Sequence, residues 1–126
     1  VREPCIMNAD AENIFAEILR GDIPFRKVFE NDVALAFDDI RPLAPVLLVI
    51  PKGAYVSHAD FSARASEAEI AGFTRAVGEV ARLKGVLESG YRTLANHGTD
   101  AGQDVFHYHV HVLGGRPLGG IVKSDS

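Results

Sequence analysis

Three of the five histidines of this chain stand at alternate positions in one short stretch, FHYHVHVLGG, residues 106–115: His107, His109 and His111. Imidazole has an unperturbed pKa of about 6.5, so its neutral and cationic forms are both accessible near neutrality. Two kinds of chemistry use such a set. Two histidines at i and i+2 of a strand can ligate one zinc ion if a further ligand comes from elsewhere. Alternatively, a neutral imidazole can act as a nucleophile, provided an acceptor holds its second nitrogen so that the reactive one keeps its lone pair. Neighbouring imidazoles then bind anionic oxygens, a set suited to attack on phosphorus, with the middle residue attacking and its flankers orienting and stabilising. A solvated sheet face is the plain alternative. Other solvated positions here use Lys, Arg, Glu or Asp, so three histidines in register argue against it. Three imidazoles on one straight strand spread too widely to converge on one ion. No cysteine is near and no HExxH occurs, so a metal site is possible but underdetermined.

Strand alternation puts His107, His109 and His111 on one face, about 6.6–6.8 Å apart for each step of two residues. Phe106, Tyr108, Val110 and Val112 share the other face, which is therefore the core side. The imidazoles are expected to be partly solvated or to line a cleft.

The elements that must position this segment follow from periodicity. Asp10 can cap a first helix and Gly21 can close it, with Ile14, Phe15, Ile18 and Leu19 on one face. Phe25 to Glu30 and Val33 to Asp38 read as strands joined by a two-residue turn, Asn31-Asp32. PVLLVIP, residues 45–51, reads as a third strand whose unbroken apolar run implies burial on both faces. Ser66 with Glu69 matches a capping box for a longer helix. Ile70, Phe73, Val77 and Val80 lie on its apolar face, and Gly85 is a stop. Tyr91 to Asn96 and Val105 to Leu113 read as the fourth and fifth strands, with a polar glycine-containing loop between them. The order is helix, three strands, helix, two strands. Clustered strands argue for an α+β fold with an antiparallel sheet and two helices, and against a doubly wound parallel sheet. His58 is expected in a loop or at the surface, and His97 in a solvent-exposed turn.

Length and composition set the bounds. A chain of 126 residues with 47% hydrophobic and 24% charged residues fits one ordinary globular domain, 1–126. Within it, residues 1–12 read as an N-terminal extension and 117–126 as a partly mobile tail. The net charge of −4 does not attract nucleic acid to the surface as a whole. One cysteine, Cys5, admits neither a disulfide framework within the monomer nor a cysteine-rich zinc site. The first residues carry no apolar secretory core, and LAPVLLVI is far too short to span a membrane. A cytoplasmic protein with no membrane partner is expected. GGRPLGG fits neither dinucleotide nor P-loop spacing.

HYHVHVL, residues 107–113, matches in full the signature of the histidine-triad (HIT) family, in which apolar residues alternate with the histidines. AGQDVFHYHVHVLGGR resembles the family's purine-nucleotide-binding Hint branch. NIFAEILRGDIP, FENDVALAFDDIRPLAPVLLVIPK and YRTLANHGTDAGQ resemble the same branch in the same order, from about Asn13 to Arg116.

The resemblance implies a HIT-like fold in which two five-stranded sheets join across a homodimer. It also implies an enzyme that cleaves the phosphorus–nitrogen bond of purine nucleoside 5′-phosphoramidates, releasing an amine and the mononucleotide. His109 would form the covalent nucleotidyl intermediate. His111 would contact the phosphate or the leaving group. His107 would support the geometry, a backbone carbonyl fixing the tautomer of His109. No metal or other cofactor is implied. By motif position, Asp39 would accept hydrogen bonds from the ribose hydroxyls. Ile14, Phe15, Ile18, Phe37 and Ile40 would form the base pocket. Asn96, Gln103 and the backbone N–H of Val105 would face the phosphate.

Three departures from the family pattern stand out. A serine usually follows the glutamine of AGQ; here it is Asp104, whose carboxylate would repel the phosphate if ionised and aimed inward. Either Asp104 turns away, or it helps hold a protonated group at the leaving-group side. Zinc-binding relatives carry Cys-x-x-Cys before the first helix and a histidine in the third strand, where this chain has Leu47. Ala54 stands where a histidine often follows IPK. Two other functions stay in view: hydrolysis of dinucleoside polyphosphates, and regulatory nucleotide binding without essential turnover. A third, a metal-dependent hydrolase, would use His107 or His109 with outside carboxylates.

Overall fold

The computed structural model describes residues 13–38, 46–103 and 105–120. Along the chain come α1 (Ile14–Arg20), β1 (Lys27–Glu30), β2 (Ala34–Asp38), β3 (Val46–Pro51), α2 (His58–Arg64), α3 (Glu67–Leu83), β4 (Tyr91–Leu94), a 3-10 turn (Thr99–Ala101) and β5 (Val110–Gly114). The five strands form one antiparallel sheet in the order β1-β2-β3-β5-β4. The α+β class and the antiparallel sheet are as expected from the sequence. The helix count is not: there are three α-helices among the described residues, not two.

Local chemistry accounts for the element ends. Asn13 caps α1, its side chain accepting from Ala16 N at 2.7 Å, and Gly21 closes it at φ 80°. Asp10, the expected cap, lies outside the described residues, as do the rest of the extension and tail residues 121–126. Tail residues 117–120 are described, and Arg92 Nη2 donates to Gly119 O at 2.9 Å. The capping box of α3 is present: Glu69 N donates to Ser66 Oγ, and Ser66 N to the Glu69 carboxylate. Ser57 caps α2, its Oγ accepting from Asp60 N, while the Asp60 carboxylate accepts from Val56 N. The β1–β2 turn differs from the expected two-residue form. Asn31 Oδ1 accepts from both Val33 N and Ala34 N at 2.9 Å, so β2 starts one residue later, at Ala34. Its Nδ2 also donates to Gly72 O at 3.0 Å, tying the turn to α3.

β3 is buried on both faces, as its apolar run implies. Leu47 and Val49 pack with Phe61 of α2, Phe73, Ala76 and Val80 of α3, and Tyr108, Val110 and Val112. Leu48 and Ile50 pack on the opposite side with Phe15 and Ile18 of α1, Leu35 and Phe37. The sheet therefore lies between a layer formed by α2 and α3 and a layer formed by α1.

The strand carrying the histidines is shorter than expected. β5 begins at Val110, so His107 and His109 precede it. Val49 lies opposite Val110, and the same register carried on would put Tyr108 opposite Pro51, which has no N–H to offer a ladder. Tyr108 N instead donates to Tyr55 O at 2.7 Å. Alternation survives without the ladder. Tyr108 joins the cluster beneath α2 and α3, and His107 and His109 face α1. Phe106 is half-buried and stands outside that cluster.

Candidate active site

The α1 side of the sheet holds the three imidazoles. His107 and His109 are buried rather than partly solvated, with 2% and 6% of their surface exposed; His111, within β5, is half-buried. The correction has a plain cause. Phe15 of α1 lies over both rings, its centroid 4.8 Å from that of His109 and 6.1 Å from that of His107. The rings of His109 and His111 are 5.1 Å apart and steeply inclined. On β5, His111 stands opposite Leu48 of β3 and Leu94 of β4.

Hydrogen bonds fix the tautomers. His109 Nδ1 donates to the His107 carbonyl at 2.7 Å. The carbonyl can only accept, so Nδ1 carries the hydrogen and a neutral His109 keeps its lone pair on Nε2. His107 Nε2 donates to Pro51 O at 3.3 Å, at the end of β3. Burial pushes the His107 imidazole below the ordinary histidine range; the bond to Pro51 opposes this and the adjacent His109 adds to it. His107 is thus held neutral at neutral pH. It serves as a strut whose carbonyl orients the next imidazole.

The expected base-pocket residues divide. Phe15, Ile18 and Phe37 lie together in the α1-side cluster, the Phe15 and Phe37 rings 6.0 Å apart. Ile14 is 40% exposed beside them. Asp39, Ile40 and Asp104 lie outside the described residues. Val105 packs against the α1-side cluster. Asn96 is half-buried, two residues beyond the end of β4.

The Gln103 amide is bonded within the chain. Its Nε2 donates to Val56 O at 2.7 Å and to Val105 O at 3.1 Å, and its Oε1 accepts from Gly98 N at 3.0 Å. The amide ties the loop before the triad to itself and to residue 56. The placement of the histidines also involves groups the sequence does not display, namely the carbonyls of Pro51, Tyr55 and His107. One signal was available: a proline at the end of β3 marks where the ladder must stop. His58 and His97 are exposed, as expected, but His58 opens α2 and its ring lies 6.0 Å from Tyr108. Among the described residues, no group of three or more His, Cys, Asp or Glu side chains is placed to hold a metal ion. No described helix is long and apolar enough to cross a membrane.

The family pattern described as HIT domain matches residues 20–118. This chain belongs to the HIT family. A HIT-like protein of Azospirillum brasilense, itself uncharacterised, is 62% identical over 114 residues, covering 90% of this chain and 93% of that one. The purine nucleoside phosphoramidase of Escherichia coli K12 is 39% identical over 109 residues, covering 86% and 91%. Among solved structures, a histidine triad protein from Clostridium difficile superposes with a TM-score of 0.78 at 35% identity, covering 90% of this chain and 98% of its own. A HIT family hydrolase from Legionella pneumophila Philadelphia 1 gives 0.78 at 38% identity, covering 86% and 96%. These likenesses extend across the fold.

Proposed function

We propose that this protein is a hydrolase that cleaves the phosphorus–nitrogen bond of purine nucleoside 5′-phosphoramidates through a nucleotidyl intermediate on His109. The observation that carries the reading is the 2.7 Å bond from His109 Nδ1 to the His107 carbonyl, which leaves Nε2 as the nucleophilic nitrogen. The name of the Escherichia coli relative, purine nucleoside phosphoramidase, supports the substrate class.

In this mechanism Nε2 attacks phosphorus with its lone pair, the P–N bond of the substrate breaks, and the leaving amine takes up a proton from solvent. Water then attacks the nucleotidyl-histidine: its oxygen joins phosphorus, the bond from phosphorus to Nε2 breaks and returns its electron pair to Nε2, and the proton that water gives up goes to solvent. The products are the amine and a purine mononucleotide. His111, with its ring 5.1 Å from that of His109, contacts the phosphate or leaving group. His107 holds the geometry. Ile14, Phe15, Ile18, Phe37 and Ile40 receive the base, and Asp39 takes the ribose hydroxyls. Asn96 and the Val105 N–H face the phosphate. Gln103 supports that side through the loop it ties, and Asp104 borders the leaving group. No cofactor takes part.

The working unit is proposed to be a cytoplasmic homodimer. The single cysteine fits a reducing compartment, and edge strand β4 with its surroundings supports pairing. Tyr91, Leu94, Leu83 and Leu87 form four of the six exposed large hydrophobic residues among those described.

The test is incubation with adenosine 5′-phosphoramidate in excess EDTA, with amine release and intact protein mass as readouts. Release insensitive to EDTA and lost in His109→Ala is expected, as is a nucleotidyl adduct trapped on His111→Ala. Activity abolished by EDTA and restored by zinc would overturn the mechanism.

A further inference from the structure

The segment Gly53 to Val56 belongs to no helix or strand, yet it carries two of the bonds on which the site depends. On its inner side Tyr55 O accepts from Tyr108 N, and Val56 O accepts from Gln103 Nε2, both at 2.7 Å. These lie at the short end of the N–H···O range. Tyr108 directly precedes His109, and Gln103 ties the preceding loop. No sheet ladder sets the height of this segment, so something else must.

Side chains of α2 and α3 grip its outer side. Asp60 Oδ2 accepts from Val56 N at 2.8 Å. Arg64 Nη2 donates to Ala54 O at 3.2 Å and to Asp60 Oδ2 at 2.9 Å, and Arg64 Nε reaches the other oxygen of the same carboxylate. The guanidinium also lies 4.9 Å from the Tyr55 ring centroid. The Tyr55 hydroxyl donates to Glu69, whose carboxylate also caps α3. Gly53 leaves room for this, since a Cβ there would come within 2.7 Å of Tyr55 Cε2. The Arg64 hydrogen bonds hold the Asp60 carboxyl below its ordinary range, against some burial, with the Val56 N–H assisting. Asp60 is therefore ionised at neutral pH.

We propose that Asp60 and Arg64 are positioning residues for the triad, clamping Ala54–Val56 from outside so that Tyr55 and Val56 hold His109 and the Gln103 loop at reacting height. The proposal rests on the reading of His109 as the nucleophile. Its signature follows from where the pair lies. Arg64 is 58% and Asp60 21% exposed at the side chain, so the ion pair itself adds little to stability, but losing Asp60 also leaves the N–H of buried Val56 unpaired. A misplacement of about 1 Å at a reacting group costs up to about 100-fold in rate. Loss of the clamp should therefore appear in turnover as well as in melting.

The experiment compares Asp60→Ala, Asp60→Asn and Glu79→Ala by kcat, KM and Tm on adenosine 5′-phosphoramidate, and by the NMR resonances of the Tyr108 amide and the His109 ring nitrogens. Glu79 pairs with Arg82 on α3, so its loss controls for removing a surface ion pair. Asp60→Ala should lower kcat about tenfold with KM within about twofold. Its Tm should fall by about 3–10 °C, since the buried Val56 N–H loses its acceptor. It should also shift the Tyr108 amide and His109 resonances. Asp60→Asn keeps an acceptor for Val56 N–H and should recover most of the rate. Wild-type kcat in Asp60→Ala, or a fall in Tm with both resonances unmoved, would overturn the clamp. Should the wild-type protein turn over no phosphoramidate, the substrate reading fails on its own. The resonances then decide the clamp: shifted in Asp60→Ala and not in Glu79→Ala supports it, unmoved overturns it.

Discussion

Replacing Gln103 by glutamate changes one group of the side chain and removes both of its N–H donors. The new carboxylate still accepts from Gly98 N. The carbonyls of Val56 and Val105, held at 2.7 and 3.1 Å in the wild type, lose their partner and face a negative oxygen instead. Only 9% of Gln103 is exposed, so water does little to make good the loss. A buried polar group left without its partner costs about 1–3 kcal/mol. Two carbonyls, one of them in a half-buried residue, put the cost at about 2–4 kcal/mol near pH 8. That is a large share of the roughly 5–15 kcal/mol that holds a domain of this kind folded. The cost should also titrate. Burial and the two carbonyl dipoles raise the folded-state pKa of the introduced carboxyl above its unfolded value of about 4.3. Protonated, it regains one O–H donor. The penalty is therefore smallest below about pH 4.3 and grows as pH rises through the folded-state pKa. Urea unfolding of both proteins across pH 5–8, at constant m, measures this difference. Gln103→Leu, which loses the same bonds without titrating, should show a cost flat in pH. A Gln103→Glu cost that is also flat, or below about 0.5 kcal/mol at pH 8, would refute the reasoning.

Three further outcomes are expected. His107 has a depressed folded-state pKa, so its contribution to stability is complete above about pH 6.5 and is lost as pH falls toward the folded value. His107→Gln should flatten that part of the pH–stability profile in denaturant titrations between pH 7.5 and 5. Phe15→Ala should cost about 3–5 kcal/mol in urea unfolding, because it empties a buried position against Phe37, His107 and His109. A cost under about 1 kcal/mol would mean that α1 does not pack over the histidines as described. Gly72→Ala gains up to about 1 kcal/mol in helix propensity, but its new Cβ would run into Val33 Cγ2. Overpacking should win by about 1–2 kcal/mol, and adding Val33→Ala should return most of it.

The sequence discloses much of this fold because local rules act on short stretches. Ser66 and Glu69 announce the cap of α3 by type and spacing. The apolar run of β3 announces its two buried faces. Helix α2 went unread although Ser57 and Asp60 repeat the same spacing, because His58 and the short apolar content around it resemble a loop. Strand order is absent from periodicity, which says that a segment alternates but not beside what. The site divides the same way. Alternation puts three imidazoles on one side. Their burial depends on Phe15, nearly a hundred residues earlier. Which nitrogen of His109 keeps the lone pair rests on a main-chain carbonyl, which every residue possesses and no sequence marks. The partners of the Gln103 amide are not legible either, since an amide serves a ligand or the backbone equally well.

Strand β3 serves as a wall shared between two rooms. Its odd-numbered side chains, Leu47 and Val49, answer to the helices α2 and α3; its even-numbered ones, Leu48 and Ile50, answer to the histidines' side. One stretch of backbone therefore carries two independent sets of demands, sorted by parity. All four side chains are buried, so a substitution on either side bears on folding, and one on the even side bears on the histidines' surroundings as well. A change in those surroundings can therefore arise one residue away from a position that answers to the helices alone.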